Sequence, residues 1–202
     1  MLLDFAKLES RHAYQWMIST IVPRPIAWVS TMGAEGQVNL APFSFFNGIT
    51  SRPPTLMFVP VTKVDGTAKD TLRNIEATGE FVVNLVSENL VAAMNNSAAP
   101  LPYGESEFAH FGIEAAASER VKPPRVRAAR VAFECTLQQI VKQGDAPGMA
   151  NVVFGRIHCA HVADEVLDAN GRVDPAKLDL IGRMGGDDYC TTRDRFVVER
   201  PQ

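Results

Sequence analysis

Proline and glycine break this chain into short apolar runs, and that punctuation limits what it can fold into. With 14 glycines and 13 prolines among 202 residues, the longest apolar stretches, such as Thr55-Leu-Met-Phe-Val-Pro-Val61, fall far short of the ~20 residues of a membrane helix. What stands between the breaks has strand composition. Arg24-Pro-Ile-Ala-Trp-Val-Ser-Thr31 alternates so that Ile26 and Trp28 share one face and Ala27 and Val29 the other. Pro23 and Pro25 suit only the start or an edge of that strand. Met32-Gly-Ala-Glu-Gly36 supplies a turn and the chain returns through Gln37-Val-Asn-Leu40, a hairpin. Phe45–Thr50 and Thr55–Val59 are two further strands separated by Arg52-Pro53-Pro54, Glu80–Val86 is another, and Val131–Val141 and Asn151–Val162 form a long pair.

Helical periodicity is confined to short segments. Leu8–Ile18 places Leu8, Tyr14 and Met17 along one side. Lys69–Gly79 is the clearest helix, with Asp70 or Thr71 in the first turn, Leu72 and Ile75 inward and Gly79 at the exit. A third helix starts at Ser87 and ends near Asn96, and residues 97–129 read as irregular. Some seven strands, three short helices and no βαβ alternation predict a mainly β (α+β) fold, an antiparallel barrel with helical decorations, in one domain over residues 1–202.

Composition removes several function classes. Hydrophobic residues at 46% and charged residues at 21% describe an ordinary globular chain. A net charge of −3 offers no general attraction to nucleic acid or an anionic membrane. Cys135, Cys159 and Cys190 are odd in number and widely spaced, against a disulfide framework. The amino terminus carries Asp4, Lys7 and Glu9 with no apolar core, unlike a signal peptide. The expected setting is cytoplasmic. The basic run from Arg120 to Arg130 lacks the aromatic interleaving of a nucleic-acid surface. In His158-Cys159-Ala160-His161 the histidines, three apart on a strand, diverge, so no metal site is expected there.

Chemistry concentrates in three places. Ser30 and Thr31 end a strand, where their hydroxyls are expected at the sheet margin. Lys69-Asp70-Thr71 opens a helix whose first N–H groups lack internal partners. Hydroxyls, an ammonium and a helix N-terminus are what a phosphate dianion requires. Asn39 and the Ala41-Pro-Phe-Ser44 run offer polar groups for the edge of a flat heterocycle, and Trp28, Phe43, Phe45 and Phe46 apolar surface for its face.

In order along the chain, Pro23-Arg-Pro-Ile-Ala-Trp-Val-Ser-Thr31, Gly36-x-x-Asn39-Leu-Ala-Pro-Phe-Ser44, Pro53-Pro54 and Lys69-Asp-Thr-x-x-Asn74-Ile-x-x-x-Gly79-Glu-Phe-Val-Val-Asn84 resemble the flavin reductase-like family of FMN-binding split barrels. Glu107-Phe, Pro124-Arg-Val126, Val153-Phe-Gly155 and Arg183-x-Gly-Gly-x-x-Tyr189 continue the likeness more loosely. The resemblance implies an antiparallel split β-barrel, a homodimer and FMN in a groove near the subunit interface. It implies Ser30, Thr31, Lys69, Asp70 and Thr71 near the phosphate, and Asn39, Ala41, Pro42, Ser44 and Asn47 near the ring. Arg183, Gly185, Gly186 and Tyr189 are candidates for the substrate side.

The implied activity is an NAD(P)H:flavin reductase, with NADH or NADPH as donor and free flavin or a partner oxygenase as acceptor. Because the flavin carries the reaction, no protein acid–base set is needed. Members that feed oxygenases commonly carry a histidine just before the strand matched by Val152–Gly155, where this chain has Asn151. No nicotinamide contact is therefore carried onto that position. An FMN-binding electron carrier without a nicotinamide site is the alternative, and a relative binding another phosphorylated ligand such as pyridoxal phosphate a distant third.

Overall fold

The structure, a computed structural model, describes residues 1–201. Helix α1 (Ser10–Thr20) precedes the hairpin of β1 (Ala27–Met32) and β2 (Val38–Phe43). Strands β3 (Phe46–Ser51) and β4 (Pro54–Phe58) form a second hairpin, followed by α2 (Asp70–Thr78), β5 (Glu80–Leu85) and α3 (Val91–Asn96). The stretch expected to be irregular contains α4 (Glu107–His110), β6 (Ala115–Ala116) and β7 (Arg125–Val126). The long hairpin β8 (Val131–Gln143) and β9 (Ala150–Val162) comes next, then α5 (Pro175–Leu178) and a last short hairpin, β10 (Ile181–Arg183) with β11 (Tyr189–Thr191). No helix among the described residues is long and apolar enough to cross a membrane.

Seven strands make one sheet in the order β2-β1-β5-β8-β9-β4-β3, every neighbour antiparallel. The two edge strands, β2 and β3, are consecutive in the chain and separated only by Ser44 and Phe45. A seven-stranded sheet whose edges are two residues apart has to curl until those edges almost meet. They form no ladder with each other among the described residues, so the cylinder stays split.

The alternation expected for β1 is present, and both of its faces are buried. Ala27 and Val29 join Phe43, Leu56, Phe58, Phe81, Val83 and Val153 inside the barrel. Ile26 and Trp28 point outward, against Leu40, Val86, Met94 and Phe108. Each fully buried Val, Leu, Ile or Phe contributes about 1.5–3 kcal/mol relative to exposure, so two layers rather than one stabilise the sheet. Helix α2 adds Leu72 and Ile75 to the inner cluster. It ends at Gly79, whose φ of 71° is the left-handed conformation glycine adopts without strain and whose N–H bonds the Ile75 carbonyl.

Candidate functional site

The middle of β2 and the amino end of α2 meet across a cleft of about 230 Å³. Asn39, Ala41 and Pro42 line it from the strand, and Lys69, Asp70 and Thr71 from the helix. The two sides are bonded: Asn39 Nδ2 donates to Thr71 Oγ1 at 3.0 Å. Both residues are buried. Thr71 uses its oxygen as an acceptor there, and its hydroxyl hydrogen has no acceptor among the described residues. The N-cap residue Lys69 makes no side-chain capping bond, and among the described residues the first N–H groups of α2 have no side-chain acceptor. Lys63, from the loop before the helix, also lines the cleft and pairs with Asp70 at 3.4 Å. Two ammonium groups, a donor-ready hydroxyl and an uncapped helix start are thus gathered on one wall, a set suited to a phosphate.

The facing wall escaped sequence reasoning. It is Ser97–Leu101, just past α3, together with Glu107. Ser97 Oγ accepts from Trp28 Nε1 at 2.8 Å and donates to the Met94 carbonyl at 2.7 Å, fastening this wall to β1. Glu107 Oε2 accepts the Leu40 N–H at 2.7 Å. Burial pushes its carboxyl above the ordinary value, Asp70 adds to that, and the hydrogen bond from Leu40 only partly offsets it. The loosely matched Glu107-Phe108 pair was the one sequence signal for this wall.

A second cleft of about 250 Å³ adjoins the first, sharing Pro42, Phe43 and Ala98. Ser44, Tyr14, Asn95, Arg183 and Tyr189 complete it. Of the sequence-predicted residues, Asn39, Ala41, Pro42, Ser44, Lys69, Asp70, Thr71, Arg183 and Tyr189 therefore line one continuous depression. Tyr14 and Asn95 join it without having been singled out.

Other predicted residues lie elsewhere. Ser30 and Thr31 are fully buried rather than at a sheet margin. Strand β1 runs on to Met32 and is covered on both of its faces, so the two hydroxyls, one on each face, meet packed layers. Ser30 Oγ donates to the Pro124 carbonyl, and Thr31 Oγ1 accepts from Asn74 Nδ2 at 3.0 Å. Trp28, expected to offer surface to a ring, is likewise fully buried. Asn47 stands on the exposed edge strand β3, its Oδ1 bonded to the next N–H. Gly185 packs against Ser19 of α1, and Gly186 lends its carbonyl to Arg183.

Asn151 is fully buried, with Nδ2 bonded to the Pro60 and Met149 carbonyls and Oδ1 unpartnered among the described residues. In the His158–His161 stretch the two imidazoles take different partners, Thr136 for His158 and Glu134 for His161. Sequence reasoning missed that Glu134, Cys159 and His161 place ligand atoms within 4.8 Å of one another. The Glu134 carboxylate already accepts from His161 and from the N–H groups of Glu119, Arg120 and Val121, which tie that loop to β8. A larger cleft of about 520 Å³, at the β1–β2 turn, holds none of the predicted residues.

The sequence pattern of the flavin reductase like domain matches residues 18–177. The chain belongs to the flavin reductase-like family. An uncharacterized protein of Deinococcus radiodurans is 43% identical over 204 residues, which span 98% of this chain and 88% of the relative. Among solved structures, nitrilotriacetate monooxygenase component B from Bacillus cereus is similar with a TM-score of 0.92 at 32% identity, covering 98% of both chains. The 2-nitrobenzoate 2-nitroreductase NbaA of Pseudomonas fluorescens follows at 0.88 and 31%, covering 100% of this chain and 96% of its own. For a flavin reductase-like protein the split barrel is the expected frame, and the depression between β2, α2 and the 97–101 loop is its candidate cofactor site.

Proposed function

We propose that this flavin reductase-like protein is an FMN-dependent oxidoreductase of the NAD(P)H:flavin reductase type. The carrying observation is the Asn39–Thr71 bond, which sets strand and helix on either side of a cleft where Lys63, Lys69 and the uncapped start of α2 converge. Lys69, Lys63, Thr71 and the first N–H groups of α2 would hold the phosphate. Ala41, Pro42 and Phe43 would bound the ring, with the amide of Asn39 and the hydroxyl of Ser44 at its edge. FMN, when bound, supplies two-electron chemistry by accepting hydride at N5 and releasing electrons singly or in pairs. The chain's own part is to bind, orient and partly desolvate, consistent with a cleft that offers donors and apolar walls but no nucleophile–base pair.

A homodimer is part of the reading. Helix α1 leaves Tyr14, Trp16 and Met17 exposed, with Ile21 just beyond it, and the edge strand β3 is exposed over most of its length, so an apolar flank is available for a second copy. The likeness to a monooxygenase component B supports a partner oxygenase as electron acceptor. Anaerobic mixing of the protein with FMN and NADH or NADPH tests the reductase. The expected result is loss of the flavin absorption band with at least one nucleotide, and persistence of the band with both overturns it.

One observation favours an electron carrier as the second reading. Asn151 holds the position of a histidine common in oxygenase-feeding reductases, and it is fully buried. In a carrier, FMN binds and stays oxidised with either nucleotide, and only a reduced protein partner bleaches it.

A further inference from the structure

Arg183 and Tyr189 are directly paired across the β10–β11 hairpin, and the guanidinium lies 4.5 Å from the centre of the tyrosine ring. Both line the ring-side cleft, and both also line the neighbouring depression with Asn95 and Asp187. Among the described residues the guanidinium has one hydrogen-bond acceptor, the Gly186 carbonyl. Its one ion-pair contact is long, 3.9 Å to an Asp187 carboxylate that stands in water. Among the described residues its remaining N–H donors have no partner, while stacking and the Gly186 bond fix its plane. A planar, oriented, under-used guanidinium is built for a carboxylate or phosphate oxygen pair. Beside it, Tyr189 and Tyr14 give aromatic surface.

We infer that Arg183 and Tyr189 form a subsite for the reaction partner of the flavin, and that this partner is a flat ring bearing an oxyanion. This rests on FMN occupying the adjoining cleft. Arg183 takes the oxyanion, Tyr189 holds the guanidinium in plane and flanks the ring, and Asn95 contributes an amide at the rim. Two sources share that chemistry: an aromatic carboxylate acceptor and the pyrophosphate of a nicotinamide dinucleotide.

The FMN-loaded protein is titrated with benzoate and with benzamide, read by the shift of the flavin absorption band and by calorimetry. Benzoate is expected to bind roughly tenfold tighter than the isosteric neutral amide, the scale of one charge-assisted pair. Arg183→Gln removes that preference and leaves benzamide binding unchanged. Equal affinities in the unmodified protein overturn the inference while FMN uptake keeps the underlying reading intact, and so does a preference that survives in R183Q. Failure to take up FMN overturns both. The source is read from Arg183→Gln kinetics: a raised KM for NADH assigns the oxyanion to the dinucleotide, and a raised KM for 2-nitrobenzoate with NADH unchanged assigns it to the acceptor. No change in either KM overturns the subsite.

Discussion

Arg24 and Arg183 exchange both backbone hydrogen bonds, at 3.0 and 2.8 Å, so the approach to β1 is sewn to the last hairpin. The Arg24 side chain extends the stitch. Nη1 donates to the Ile18 and Ile21 carbonyls at 2.6 and 2.7 Å, Nη2 to the Met184 carbonyl at 2.8 Å, and Nε reaches Ser44 Oγ at 3.4 Å. One buried guanidinium thereby holds the carboxyl end of α1, the β2–β3 link and the loop after β10 around the ring-side cleft.

Arg24→Lys keeps the charge and loses the fork. It should lower unfolding free energy by roughly 1.5–3 kcal/mol, the scale of hydrogen bonds to a charged group. Urea denaturation of the two proteins side by side measures it. An unchanged midpoint would show that the guanidinium fork adds nothing to the packing and backbone pairing that hold α1 and β10.

Lys69→Ala should weaken FMN binding by roughly 1.5–3 kcal/mol, since an exposed helix-start ammonium is lost from the phosphate side. Thr71→Val, which keeps shape and removes the hydroxyl, should cost about 1 kcal/mol of the same affinity. Fluorescence quenching of FMN gives both values. Affinity unaffected by either change would move the phosphate out of this cleft.

Glu107 makes stability depend on pH in a definite direction. Burial raises its folded-state pKa above the ordinary 4.5, so the unfolded chain gives up the proton first. Stability from this group is then present below 4.5 and falls as pH rises through the folded-state value. Glu107→Gln retains an acceptor for the Leu40 N–H and should remove that fall. Thermal unfolding of both proteins across the carboxylate range isolates the effect as their difference. Glu134 acts in the opposite sense, because burial pushes its carboxyl up but four N–H donors outweigh this and hold it below the usual value. Its stabilisation is lost as pH falls through the folded pKa, and it cancels when the two proteins are compared.

Gly155 lies on β9 where the Phe81 ring approaches so closely that an added Cβ would sit inside it. Gly155→Ala should destabilise by roughly 1–3 kcal/mol through overpacking. Phe81→Leu in the same chain should restore part of that loss. A double-mutant cycle with no coupling between the two positions would exclude the contact.

Much of the sheet was legible because strand alternation is a local property. The two faces of β1 follow directly from Ile26, Ala27, Trp28 and Val29, and helix α2 from Leu72, Ile75 and Gly79 at their spacing. The positions of β4, β5, β8 and β9 follow in the same way. The order of strands does not, nor does the short β10–β11 hairpin hidden in a glycine-rich tail.

The site divides along the same line. Asn39, Ala41, Pro42 and the Lys69–Thr71 start were recognisable as residue types suited to a phosphate and a flat ring, and closure of the sheet places them on one cleft. Ser30 and Thr31 carry equally suitable groups, yet they face opposite sides of a central strand and both sides are covered, Ser30 against the Pro124 carbonyl and Thr31 against Asn74 of α2. By itself the sequence determined which segments become strands and which residues can serve as donors, since both depend on neighbours along the chain. Only the tertiary structure decided which donors stay open and that 97–101, Glu107, Tyr14 and Asn95 complete the walls, because exposure depends on what the curled sheet brings against each residue from far away in sequence.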